Sequence, residues 1–416
     1  MTWNEEIAAS LAQAVDTAFN EGELQVAAAA IDTDGTTIRY GRHPVAADSR
    51  FEIGSVTKTL TGTLLALLAA EGTLRLDDEI GRWLAAGDNG RITLLALATH
   101  TSGLPRVGPD LTPGIAEAEL QQVKLVPGGY AYSNFGFQLL GLVLERASEI
   151  PYQGLLASRL LEPLAMTCSG TGSAACGRRI AGHAWGERML AQHHPLPASG
   201  GAEATIGDLA SFVRACLEPP PTPLGRAIAA TQVPRFAIDQ ANAQALGWHI
   251  RDGRFRWHDG GTSGFSAAVV LDPAQHRGVA ILINTSGTGL LITRAALLVL
   301  AGRDPGGAFP VAPPGCTDRA RQVTLSLLHG RVAEAHASLS PQLRGRISAG
   351  RLERLWWIHT LDARGPAQVT VASQPSDEGL IAVAAITFAS ATRGLTVRFR
   401  FDPAAQITDL RIKRSP

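Results

Sequence analysis

Apolar residues recur at helical spacing over residues 4–21, where Ile7, Leu11, Val15 and Phe19 share one stripe. The pattern then changes. Leu24–Ile31 and Thr37–Gly41 read as strands joined by the turn signal Asp32-Thr-Asp-Gly35. Beyond a loop, Leu60, Leu64, Leu65, Leu67 and Leu68 make a helix apolar nearly all round, the mark of a buried helix, with Gly72 as its stop. Ser55 and Lys58 therefore fall at the first turn of a helix set into the core. From about 90 to 230 short helical patterns alternate with Gly/Pro-rich loops, and Thr205-Ile-Gly-Asp208 reads as a capped helix start. Strand patterns return at Gly247–Ile250, Arg254–Trp257, Ser266–Leu271 and Gly278–Asn284, followed by a helix over roughly 289–301.

Strands at both ends with helices between predict an α+β domain over residues 1–302. It holds a mixed antiparallel sheet closed by the two termini of the domain and flanked by helices, plus an all-helical subdomain. Residues 303–315 are a linker by their Gly/Pro content. Residues 316–416 form a small α+β module, with helix signal over 317–364 and strands at 367–373, 380–389, 395–402 and 406–413. Trp356 and Trp357 read as core residues of that module.

Composition narrows the functional classes. Lys+Arg and Asp+Glu balance at 37 each, so no net charge calls for nucleic acid or an anionic membrane as partner. The acidic start Met-Thr-Trp-Asn-Glu-Glu lacks the basic and apolar regions of a secretory signal, which predicts a cytoplasmic protein. The most apolar run, Leu290–Ala301, is interrupted by Arg294 and falls short of the ~20 residues that span a bilayer. Cys168, Cys176, Cys216 and Cys316 lack zinc spacing. Cys168 and Cys176 are close enough to bridge, but a cytoplasmic chain favours reduced thiols. His193-His194 reads as a solvated pair, Asp77-Asp78 as turn residues, and neither a metal nor a cofactor is expected.

Only three lysines, Lys58, Lys124 and Lys413, stand among the 37 basic residues, and one lies three positions after Ser55. Arginine cannot release its proton at working pH; a desolvated lysine can. Positions i and i+3 share a helix face, so Lys58 can accept the Ser55 proton while unpaired N–H groups of the first turn favour a developing anion. Taken alone, the pair also fits a serine cap beside a snorkelling lysine. Two further segments change that weight. Tyr132-x-Asn134, in Pro127-Gly-Gly-Tyr-Ala-Tyr-Ser-Asn, offers a phenol and an amide ahead of an apolar helix. His258-Asp-Gly260-Gly261 places glycines at a sheet edge, where a backbone N–H can complete an oxyanion hole.

These three segments, in this order, resemble the serine β-lactamase and penicillin-binding superfamily. More narrowly they resemble its class C β-lactamase-like branch of esterases, D-amino-acid-specific peptidases and transesterases. Leu74-x-Leu76-Asp77-Asp78, Thr99-His-Thr-Ser-Gly-Leu-Pro105, Gly200-Gly201 and Gly247-Trp248 extend the resemblance over about 20 to 300. It implies Ser55 as acylated nucleophile, Lys58 as its proton partner and Tyr132 as general base and acid. Asn134 would contact a substrate amide, and the N–H groups of Ser55 and Gly261 would form the oxyanion hole. His258, before Gly260, would replace the lysine of the Lys-Thr-Gly motif in true β-lactamases. Losing that cation suits esters and less anionic amides, so weak β-lactamase activity is expected. The C-terminal module resembles small cone-shaped nuclear-transport-factor-2-like domains, which implies a role in shaping the entrance or in homodimerisation. The expected activity is a serine hydrolase acting on a small ester or amide. An acyltransferase using the same intermediate is the alternative, and a non-catalytic sensor the further one.

Overall fold

A computed structural model describes residues 2–19, 24–43, 45–108, 112–126, 128–172, 176–184, 187–190, 195–309, 314–360, 367–376, 379–388 and 395–414. The His193-His194 pair and Pro127 lie outside them. The chain divides into two compact units, residues 1–16 with 24–308, and residues 17–23 with 309–416.

The first unit is built on an eight-stranded sheet. Its order is Gly35–Tyr40, Val26–Asp32, Arg277–Ile283, Ser266–Asp272, Phe255–Gly261, His249–Arg251, Asn242–Gln244 and Phe236–Ala237. The first long strand of the unit pairs with its last, Val26 opposite Ile283, which joins the two ends of the domain in one ladder. Every ladder in this sheet is antiparallel, in keeping with the expected antiparallel sheet flanked by helices; the parallel pairings are single bridges such as Arg50 with Arg179.

Three central strands are buried along their length, Arg277 at one end excepted, because helices cover both faces. Ala27, Ala29, Ile31, Ala267, Val269 and Leu271 join one core with Phe212, Val213 and Leu217 of the helix Ile206–Leu217. The alternating residues, among them Ala28 and Ala268, are equally buried. On their side the helix Gly289–Leu300 starts beside Asp259. Two-residue periodicity thus sends Asp259 to that outer helix and its neighbour His258 to the opposite face.

The all-apolar helix over Thr57–Ala70 is buried through its first twelve residues. It ends as its sequence requires. Gly72 takes φ 78°, its N–H bonds the carbonyl of Ala69, and the N–H of Thr73 bonds that of Leu68. Thr205 caps the helix it precedes by accepting the N–H of Asp208 at 3.1 Å. The Asp208 carboxylate turns elsewhere, taking the N–H of Cys168 and the hydroxyl of Ser169, each at 2.8 Å.

Cys168 and Cys176 form a disulfide with Cα atoms 4.6 Å apart, against the expectation of reduced thiols. That Cα separation lies within the range a disulfide spans. Sequence spacing allowed this geometry, and the compartment argument wrongly weighed against it.

The second unit has helices at Cys316–Leu328, Val332–Ala337, Pro341–Arg346 and Ala349–Thr360. A sequential antiparallel sheet follows, formed by Ala367–Ser376, Gly379–Phe388, Leu395–Phe401 and Ile407–Arg414. Strict alternation of burial along Leu395–Phe401 marks a sheet with one face on a core. Trp356 belongs to that core, but Trp357 is 63% exposed. Adjacent helical positions lie about 100° apart, so only one of the pair can face inward.

One close backbone approach in the first unit concerns the site. A Cβ on Gly260 would lie 1.9 Å from the Ile53 carbonyl oxygen, and Gly54, at φ 49°, has its Cβ direction aimed at the Gly261 nitrogen 2.6 Å away. The obstacle at Gly260 is backbone, so no rotamer relieves it. Gly260→Ala is expected to destabilise the fold by about 1–3 kcal/mol or more. Chemical denaturation checks this; a variant as stable as the parent shows that the two backbones are free to separate.

Candidate active site

The strand Phe51–Glu52, paired with Ala202–Ala204, leads the chain into a 3-10 turn at Gly54–Val56 and on into the helix Thr57–Ala70. Thr57 ties the junction down, donating to the Gly54 carbonyl at 2.7 Å and accepting the Ala202 N–H at 3.1 Å. Ser55 lies half-buried in the turn; Lys58, one helical step into the core, is fully buried. Their three-residue spacing brings Nζ of Lys58 to 3.0 Å from Oγ of Ser55. Asn134 Oδ1 at 2.7 Å and the Ser199 carbonyl at 2.5 Å hold the same nitrogen.

Burial drives the Lys58 amine well below the ordinary lysine range; the Asp259 carboxylate opposes this and Arg106 reinforces it. Tyr132 shifts the other way. Desolvation raises its phenol far above the usual tyrosine value, and the Ser55 hydroxyl it faces only partly offsets that. Burial thus favours the uncharged form of both groups, the free amine and the protonated phenol.

The short segment Tyr132–Asn134 is held from several sides. Ser133 caps the helix Asn134–Ser148, accepting the Gly136 N–H at 2.9 Å and donating its hydroxyl to the Pro105 carbonyl at 2.7 Å. The Asn134 N–H bonds the Arg106 carbonyl at 2.8 Å. His100, buried and at φ 59°, does more. Its carbonyl accepts the Ala131 N–H at 2.8 Å, its Nδ1 accepts the Ser133 N–H at 3.1 Å, and its ring lies 4.3 Å from that of Tyr132. That bond fixes the tautomer, with the ring proton on Nε2.

Sequence reasoning missed His100, His249 and Ser199 as parts of the site. Each adjoins a string that carried the resemblance: Thr99-His-Thr-Ser-Gly, Gly247-Trp248 and Gly200-Gly201. The signal was present, but the contacts that give these residues a place join segments far apart in the chain.

His258 enters from the strand Phe255–Gly261. Its Nδ1 lies 2.6 Å from the Asp259 carbonyl, so that nitrogen carries the proton and Nε2 is an acceptor. His258 has no exposed surface, packing 4.8 Å from the His249 ring and 6.3 Å from that of Tyr132. Expected to bind substrate, His258 is buried in this structure. Gly260 is likewise buried, against the backbone of Ile53 and Ser55, whereas Gly261 is exposed beside Gly54. Asn134 is half-buried, with its Oδ1 committed to Lys58.

Three imidazoles thus surround Tyr132. Burial lowers the pKa of all three: His100 and His258 well below the usual histidine value, and His249 to about 4. At the mouth, exposed Arg106 rests its guanidinium carbon 5.0 Å from the centroid of the Tyr132 ring. Among the described residues no cluster of His, Cys, Asp or Glu could hold a metal ion, and no helix is long and apolar enough to cross a membrane.

The Beta-lactamase family profile matches residues 11–303, more than half of the chain. The chain is 32% identical over 195 residues to the D-alanyl-D-alanine-carboxypeptidase/endopeptidase AmpH of Escherichia coli K12, covering 40% of this chain and 49% of that one. It is 30% identical over 192 residues to a beta-lactamase of the same strain, covering 43% and 50%. It is 27% identical over 267 residues to protein flp of Staphylococcus aureus N315, covering 57% and 53%. The chain spans about half the length of these curated relatives. A solved class C beta-lactamase shares its fold with TM-score 0.62 at 21% identity, over 68% of this chain and 92% of that one.

The lowered histidines make acid stability a test of the cluster. With His249 at about 4 when folded and about 6.5 unfolded, the unfolded chain binds the extra proton between those values. Stability is therefore intact above pH 6.5 and lost as pH falls toward 4, at about 1.4 kcal/mol per pH unit for this one proton. In urea titrations at about pH 7.5 and about pH 5, His249→Gln is expected to lose less stability on acidification than the parent. Equal losses contradict the buried, neutral imidazole.

Proposed function

The chain belongs to the Beta-lactamase family, and on that footing we propose that its first unit is a serine hydrolase that cleaves a small ester or amide through an acyl intermediate on Ser55. The observation that carries this reading is the 3.0 Å approach of a desolvated lysine amine to the Ser55 hydroxyl.

A neutral amine has two N–H donors and one lone pair. With the donors engaged by Asn134 Oδ1 and the Ser199 carbonyl, the lone pair is left for the hydroxyl proton of Ser55. As Oγ attacks the carbonyl, Lys58 takes that proton. The resulting ammonium is better held by the same two oxygens than the neutral amine was, so these contacts strengthen along the reaction. The oxyanion would lie against the N–H groups of Ser55 and Gly261, whose segments the glycine contact holds together. Tyr132, protonated and facing Ser55, gives its proton to the departing oxygen or nitrogen and recovers one from Lys58. Water then attacks the acyl carbonyl and gives a proton to Lys58; as the intermediate collapses to the free acid, Lys58 returns that proton to the departing Ser55 oxygen, restoring the hydroxyl and the neutral amine. On this reading Lys58 is the base, and Tyr132 serves mainly as the acid.

Two observations refine the reading. The fixed cation of a β-lactam site has no counterpart in buried, neutral His258, which supports weak β-lactam turnover. The Cys168–Cys176 bond favours an oxidising compartment over the cytoplasm expected from sequence.

Intact-mass analysis after reaction with a p-nitrophenyl ester or a fluorophosphonate tests the proposal. The expected result is one adduct at Ser55, absent in Ser55→Ala. Lys58→Met and Tyr132→Phe should each slow ester turnover by on the order of 10²–10⁴-fold. Absence of an adduct in the parent, or full turnover by Lys58→Met, overturns the reading.

A further inference from the structure

We propose that Arg106 forms an anion-binding end of the site, selecting substrates that carry a carboxylate or similar anion on the leaving-group side of the scissile bond. This rests on the hydrolase reading above.

Position 258 offers a substrate anion no positive charge and no exposed atom. Arg106, in contrast, is exposed, and its guanidinium lies 5.0 Å from the Tyr132 ring centroid. The phenol of that ring faces Ser55, where the leaving group must collect its proton, so a cation above the ring stands beside the leaving group. The backbone under Arg106 is fixed. Its carbonyl accepts the Asn134 N–H at 2.8 Å, and the preceding Pro105 carbonyl accepts the Ser133 hydroxyl at 2.7 Å. The presenting loop is thus tied to the segment that carries Tyr132.

Among the described residues Arg106 has no carboxylate partner. Strand alternation turns Asp259 toward Gly289, where its Oδ2 would lie 3.0 Å from a Cβ at that glycine. A guanidinium resting on an aromatic face keeps N–H donors for a planar anion. The surrounding titratable nitrogens of Lys58, His100, His249 and His258 are all held toward neutrality, which leaves Arg106 as the lasting positive charge of this cluster.

A matched pair of substrates isolates the charge: 4-acetoxybenzoate, whose leaving group bears a carboxylate, and its neutral methyl ester. The unsubstituted protein should prefer the acid. In Arg106→Gln the ratio of kcat/KM for acid over methyl ester should fall about tenfold, the worth of one charge-assisted hydrogen bond, with the change carried by KM. Arg106→Lys should keep part of the preference and Arg106→Glu should reverse it. If both esters acylate Ser55 but the ratio is the same in all four proteins, Arg106 has no such role and the hydrolase reading stands. If neither ester acylates Ser55 in the unsubstituted protein, the hydrolase reading fails and takes the anion site with it.

Discussion

The burial of one amine organises the first unit. Lys58 lies in a helix whose first twelve residues are all buried, and its side chain has no exposed surface at which an ammonium could be solvated. Desolvating a charged lysine costs several kcal/mol, more than the three polar atoms around Nζ return unless the proton leaves. Burial thus pushes the amine toward neutrality, the state that the proposed base role requires. The scaffold exists to hold that condition. The Thr57 bridge fixes the turn at the helix start, and the glycine contact sets Ser55 against the strand Phe255–Gly261. The cap at Ser133 sets the angle at which Tyr132 and Asn134 return to the same point.

Neutrality extends beyond Lys58. Placing His100, His249 and His258 around Tyr132 builds an interior of polar rings without net charge. Such an interior raises the phenol as it lowers the amine, because both shifts follow from disfavouring whichever form is charged. One environment thus shifts two groups of opposite sign in opposite directions, as the proposed acid and base roles require. The outer charge is left to Arg106 at the rim, where water solvates it and a ligand can reach it.

Much of this was legible from local pattern. The contact of Ser55 with Lys58 follows from three-residue spacing at a helix start, and Tyr132 with Asn134 from a single capped turn. The strands followed from alternation, and the stop at Gly72 from its freedom at positive φ. What was not legible depends on segments meeting. Nothing local says that His100 grips residues 131–133, that the Ser199 carbonyl reaches Lys58, or that His258 is sealed behind His249. Cys168 and Cys176 were misjudged because a compartment argument was set against geometry. Trp356 and Trp357 were treated as one feature although neighbours on a helix face apart. The base role of Tyr132 came with the family resemblance, and only the depth of burial around it argues for its exchange with Lys58.

The pH dependence of Ser55 acylation, followed as the single-turnover burst from an activated ester, reports on the amine most directly. A neutral Lys58 acting as base gives a rate that rises through a pKa well below the ordinary lysine value of 10.5 and is already near its plateau at neutral pH. A rate that climbs only as pH approaches 10.5, or an identical profile in Lys58→Met, means that the amine is charged or idle and contradicts the account.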